Sequence, residues 1–141
     1  MIPSEGSFTF PGKEVSPMWV SYNANPARNR VSDCTVRAIS KLTSQSWDDV
    51  YWGLCIQGFL EKDMPSADNV WGDYLRKNGY RRRLIDPSCP DCYTVAQFCE
   101  DHPVGDFLLS IPGHVVAVSN SRWYDTFDSG DETPIYYYSK E

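Results

Sequence analysis

Apolar residues along this chain follow two periods, and the change between them predicts helices first and strands afterwards. Thr35, Ala38, Ile39 and Leu42 recur at i, i+3, i+4 and i+7, which predicts a helix from about Cys34 to Leu42 with one buried face. Ser32 or Asp33 is placed to cap its first turn. A second helix is expected after Ser46, where Ser46-Trp47-Asp48-Asp49 resembles a capping box and Trp47, Val50, Tyr51 and Leu54 form the inner stripe. A third follows Ser66, carries Val70, Trp71, Tyr74 and Leu75, and stops at Asn78-Gly79, where glycine accepts the left-handed conformation that closes a helix. Thr94-Val95-Ala96-Gln97 is another capping box and opens a short fourth helix that Pro103 ends.

Beyond Pro103 the pattern shortens to strands: Phe107 to Ile111, His114 to Asn120, Trp123 to Asp128 and Ile135 to Tyr138. Asn120-Ser121 suits a tight turn, because Asn tolerates positive φ. Helices followed by an antiparallel sheet define an α+β fold. Residues 1–30 are rich in Pro, Ser, Gly and Asn and lack periodicity, so they read as an arm over residues 1–20 followed by loops. No repeat or composition shift marks a boundary, and 141 residues suit one domain with a substantial core.

Charge and cysteine content narrow the function. Nineteen acidic against 13 basic residues give a net charge of −6, which disfavours phosphate-backbone binding, so nucleic acid is not an expected partner. Arg81-Arg82-Arg83, the one basic cluster, reads as a solvated strand or loop. No apolar run reaches membrane-spanning length, and the N-terminal residues lack the basic and apolar regions of a secretory signal. Five cysteines in that setting point to reduced thiols and a cytoplasmic location.

Three residue types then suggest chemistry. Cys34 stands at the start of a helix, where partial positive charge favours the thiolate, the nucleophilic form. His114 opens an apolar strand after Pro112-Gly113 and is a candidate base. The acid that would orient it depends on hairpin register. A two-residue turn at Asn120-Ser121 puts Asp125 on the histidine's face, whereas a three-residue loop or a bulge puts Asp128 directly opposite. Asp128 is preferred because it lies nearer the histidine's end of the sheet, with Asp125 the alternative. The Cys34 N–H and the Asn29 amide are candidate oxyanion donors, with Asn23 and Asn25 competing for the second role.

Asp33-Cys34-x-x-Arg37-Ala38, Thr94-Val95-x-x-Phe98 followed by His102-Pro103-x-Gly105, and Gly113-His114-Val115-Val116-Ala117-Val118 with Tyr124-Asp125-Thr126-Phe127-Asp128-Ser129 together resemble small bacterial and bacteriophage proteins of papain-like cysteine-peptidase fold. The resemblance covers roughly residues 20–138. It implies helices carrying the cysteine packed on a sheet carrying the histidine and acid. It also implies hydrolysis of a peptide or isopeptide bond in a peptide or protein substrate through a Cys34 acyl-enzyme, with no cofactor. No glutamine precedes Cys34, and Thr35 follows it where many such enzymes have an aromatic residue.

Two alternatives stand beside this reading. Cys89-Pro90-Asp91-Cys92 with Cys99 and His102 spells C-x2-C-x6-C-x2-H, a ligand set suited to structural zinc. Val95, Phe98, Cys99 and His102 also fall at helical spacing, which would instead bury Cys99 and His102 on a helix face, so no metal is assigned. The second alternative is a catalytically inactive interaction module on the same fold, suggested by the missing glutamine and by an exposed aromatic tail, Tyr136-Tyr137-Tyr138.

Overall fold

A computed structural model describes residues 16–85 and 93–140. Four helices lie where the three- and four-residue spacing puts them: α1, Cys34–Thr43; α2, Trp47–Glu61; α3, Asp68–Lys77; and α4, Val95–Asp101. The Ser46 hydroxyl accepts the Asp49 N–H at 3.0 Å and caps α2. Thr94 and Gln97 form a reciprocal capping box on α4. Helix α3 closes at Asn78, followed by Gly79 at φ 91°. Helix α1 departs from expectation in being buried nearly all round, including Val36, Arg37 and Ser40 as well as the predicted stripe. Tyr51, placed in the inner stripe of α2, is exposed, while Val50 and Leu54 are buried.

Six strands form one sheet among the described residues: β1, Met18–Ser21; β2, Tyr80–Leu84; β3, Asp106–Ile111; β4, His114–Ser119; β5, Arg122–Asp125; and β6, Tyr136–Lys140. Their order is β1-β5-β4-β3-β6-β2. All neighbours run antiparallel except β1, which pairs parallel with β5 and sets Ser21 beside Asp125. Two strands carry no alternation that sequence reading could use. Strand β1 lies in what reads as arm and loop. Strand β2 contains Arg81-Arg82-Arg83, whose charges suit a sheet edge because they discourage further pairing. Arg82 lies over the Tyr136 ring at 4.1 Å, and Arg83 Nε donates to Ser139 Oγ at 2.8 Å. The triple tyrosine is therefore not an exposed tail. It belongs to β6, inside the sheet, with Tyr138 buried against Trp71.

The run Val115 to Val118 is buried throughout because both faces of β4 are covered. Val115 and Ala117 join Ile39, Leu42, Leu54 and Trp71 under α1, α2 and α3. Val116 and Val118 join Val95, Phe98 and Trp123 under α4. The result is an α+β layer structure in which α1 packs mainly on β4. No helix among the described residues is long and apolar enough to cross a membrane.

Candidate active site

Cys34 is the first residue of α1, and His114 is the first of β4. Two turns set the positions of His114 and its acid. Pro112-Gly113 joins β3 to β4 in a two-residue hairpin, with Ile111 opposite His114 and Gly113 at φ 69°, the positive value a Pro-Gly turn of this kind requires. Asn120 and Ser121, at φ 49° and 70°, join β4 to β5 in a second two-residue turn. That register decides the acid.

Asp125 stands beside the imidazole, its Oδ2 2.6 Å from His114 Nε2. Asp128 does not: its Oδ1 accepts the Trp123 indole N–H at 2.9 Å and the Gly130 N–H at 3.0 Å, holding the turn after β5. The preference for Asp128 is thus corrected to Asp125 by hairpin geometry. The turn Asp128 holds is tight, since a Cβ on Gly130 would lie 2.5 Å from the Trp123 ring.

Asp125 is buried and fully engaged. Oδ1 accepts the Thr126 N–H at 2.8 Å, and Oδ2 accepts the Ser129 hydroxyl at 2.9 Å. Its backbone carbonyl accepts the Trp19 indole N–H at 3.1 Å and the Tyr22 N–H at 2.9 Å, so β1 anchors the residue from the other side. With Nε2 turned to Asp125, Nδ1 is the ring nitrogen left for the thiol, and Cys34 and His114 are close enough for each to shift the other's titration. The β4–β5 ladder ends at Ala117–Tyr124, short of His114, which opens this end of β4 to the first turn of α1.

Electrostatics favour an ion pair. Burial pushes the Cys34 thiol up. The His114 hydrogen bond, the Val115 N–H and the nearby charges of His114 and Arg37 outweigh that effect, and the thiol lies below its ordinary value. Burial pulls His114 down, but its bonds to Asp125 and Cys34 and their charges push it up to about 9. The two groups titrate as a unit, with the proton favoured on the imidazole and the negative charge on sulfur.

The residue that sequence reasoning missed is Arg37. Its guanidinium is buried, ion-paired through Nη1 with Asp33 Oδ1, and 3.4 Å through Nη2 from Asp125 Oδ1. Asp33 occupies the N-cap position, yet its side chain makes no capping bond. Its carboxylate is committed to Arg37 and, at 2.9 Å, to the Trp47 indole N–H. A chain of contacts therefore runs Trp47–Asp33–Arg37–Asp125–His114–Cys34. Arg37 lies outside the stripe that the spacing predicts, so the sequence carried no signal for its burial beyond its place one turn after the cysteine.

Cys34 and His114 open onto a cleft of about 650 Å³ lined also by Tyr22, Asn29, Thr126 and Phe127. Phe127 tilts against the His114 ring at 5.1 Å but is 46% exposed, so it borders the cleft without filling it. Asn29 and Asn23 line this cleft, whereas Asn25 is buried and accepts the Ala27 N–H at 2.9 Å. Asn23 is committed to its own loop, its Oδ1 accepting the Asn25 N–H at 3.0 Å and its Nδ2 donating to the Asn29 carbonyl at 3.5 Å, which leaves Asn29 as the candidate among the three asparagines.

The other described thiols, Cys55 and Cys99, do not line this cleft. Cys99 is buried beneath α4 with Val95 and Phe98, and burial pushes it up to about 12. His102 stacks on Phe98 at 3.9 Å, with Nδ1 2.9 Å from the Phe98 carbonyl. Cys89 and Cys92, the other half of the zinc alternative, lie outside the described residues. No group of three or more metal-ligating side chains occurs among the described residues. Compared with known proteins, the chain matches no family, no curated protein and no solved structure.

Proposed function

We propose that this protein is a papain-like cysteine hydrolase that cleaves a peptide or isopeptide bond through an acyl-enzyme on Cys34. One observation carries the reading: Cys34 and His114 line one cleft and shift each other's titration, and His114 Nε2 lies 2.6 Å from the Asp125 carboxylate. The thiolate attacks the carbonyl carbon, and the oxyanion is met by the Cys34 N–H and the Asn29 amide. His114 passes its proton to the leaving nitrogen as the C–N bond breaks, leaving a thioester. Water then attacks that thioester. Its proton goes to His114, its hydroxyl to the acyl carbon, and the C–S bond breaks to restore the ion pair. Asp125 keeps the imidazole oriented and supports its charge throughout.

The test is alkylation at neutral pH followed by peptide mapping, together with turnover of a mixed peptide library. Iodoacetamide is expected to label Cys34 well ahead of Cys55 and Cys99, and His114→Ala to remove that advantage. Library cleavage should vanish in Cys34→Ala. Labelling of all the cysteines at one rate, unchanged in His114→Ala, would overturn the reading.

A further inference from the structure

The cleft over Cys34 has a charge pattern opposite to that of the whole chain. Nineteen of the 141 residues are acidic and the net charge is −6, yet among the described residues no Asp or Glu lines this cleft while Arg28, Arg30 and Arg37 do. Arg37 is neutralised by Asp33 and Asp125 behind the site. Arg28 and Arg30 are exposed, and neither guanidinium has an ion-pair partner among the described residues. Their loop is held in place. The Asn25 carbonyl accepts the Arg28 N–H at 2.9 Å, the Asn25 side chain accepts the Ala27 N–H, and Arg28 itself sits at φ 60°. Asn25 is buried, so the turn that carries the two arginines is pinned to the body of the protein. Two cations without an ion-pair partner among the described residues, lining the same cleft as Cys34 on an otherwise acidic protein, raise the local positive potential.

We infer that the Cys34 cleft binds substrates bearing a carboxylate close to the scissile carbonyl, with Arg28 and Arg30 as its recognition residues. The inference rests on the hydrolase reading and extends it to a substrate class. Guanidinium groups suit this role because their planar donor pairs match a carboxylate. The carboxylate comes either from an acidic side chain or from a chain terminus, and both present the same group to the arginines.

The test compares a charged with a neutral alkylating agent of nearly equal size. The ratio of iodoacetate to iodoacetamide rates at Cys34 is measured at low ionic strength, where exposed charges are least screened. Arg28→Gln and Arg30→Gln are each expected to lower that ratio by roughly 1.5- to 5-fold. Lysine at either position should retain most of it, and Arg76→Gln, remote from the cleft, should leave it unchanged. Protection of Cys34 from iodoacetamide then identifies the source. N-acetylglutamate α-amide carries only a side-chain carboxylate, N-acetylglutamine only a terminal one, and N-acetylglutamine amide neither. Protection by the first assigns an acidic residue, and by the second a chain end. A ratio unmoved by either glutamine substitution, or equal behaviour of all three compounds, overturns the substrate class. Failure of the hydrolase reading is separate: it would appear as an ordinary iodoacetamide rate at Cys34, whatever the ratio.

Discussion

Arg37 stands one helical turn beyond Cys34 and places Nη2 3.4 Å from Oδ1 of Asp125. One buried cation thus serves both the residue before the thiol, Asp33, and the residue behind the imidazole. Removing one member of a buried charge network leaves the others uncompensated and costs about 3–5 kcal/mol. Arg37→Met is expected to lower the unfolding free energy by that amount, and Arg37→Lys by less, since an ammonium keeps the charge but not the fork that reaches two carboxylates. Urea unfolding measures both, and a loss below about 1 kcal/mol for the methionine variant, the scale of a solvent-exposed pair, would show that the network does not hold the fold.

The two candidate acids predict different phenotypes. Asp125→Asn removes the charge that lifts His114, so the imidazole should lose its proton at lower pH and the thiolate lose its partner earlier. Less of Cys34 should then be thiolate at neutral pH, and its alkylation profile should rise only at higher pH, as the thiol itself ionises. Asp128→Asn keeps an acceptor oxygen for Trp123 and Gly130, and should leave that profile in place at a stability cost of about 1 kcal/mol. The same shift in both variants would contradict the geometry.

The pH dependence of stability has a sign that follows from linkage. His114, raised from 6.5 to about 9, contributes stability that is complete below 6.5 and lost as pH rises through about 9. Cys34, lowered from 9.0, contributes stability present above 9.0 and lost as pH falls through its folded value. The two contributions oppose each other between the folded value of Cys34 and 9.0, so the slope there is smaller than His114 alone would give. Cys34→Ser removes the rising contribution, and its stability relative to the wild type should decline as pH rises toward 9.0. Parallel stability curves for the two proteins would mean that the native thiol is protonated.

Gly113 sets the turn that presents His114. Its φ is 69°, and a Cβ built there meets nothing within 4 Å, so Gly113→Ala should cost only backbone strain, about 1–2 kcal/mol. Gly113→Asn should recover part of that, because Asn visits the left-handed region more readily. Thermal unfolding of the three proteins gives the comparison, and equal midpoints for Gly and Ala would argue against the positive φ.

Helices α1 to α4 and strands β3 to β6 were legible because their signals are local: spacing, capping pairs and turn residues. Register was legible only as a condition. Once Asn120-Ser121 forms a two-residue turn, Asp125 follows, but sequence does not supply the turn length. The diversion of Asp33 from capping to Arg37 was not legible, since it depends on Trp47 and Asp125 arriving from other elements. Strand β1 was hidden for a similar reason. A four-residue parallel edge strand has no turn signal, and its partner β5 lies about a hundred residues away in the chain.

The order of strands has a consequence for how the protein comes into being. Strand β6, last of those described, fits between β3 and β2. During synthesis, Cys34 emerges long before residue 125, and the gap beside β3 stays open until residues 136–140 follow. A nascent chain therefore carries Cys34 without His114 and Asp125 beside it, and the sheet that holds those two is closed only by its last strand.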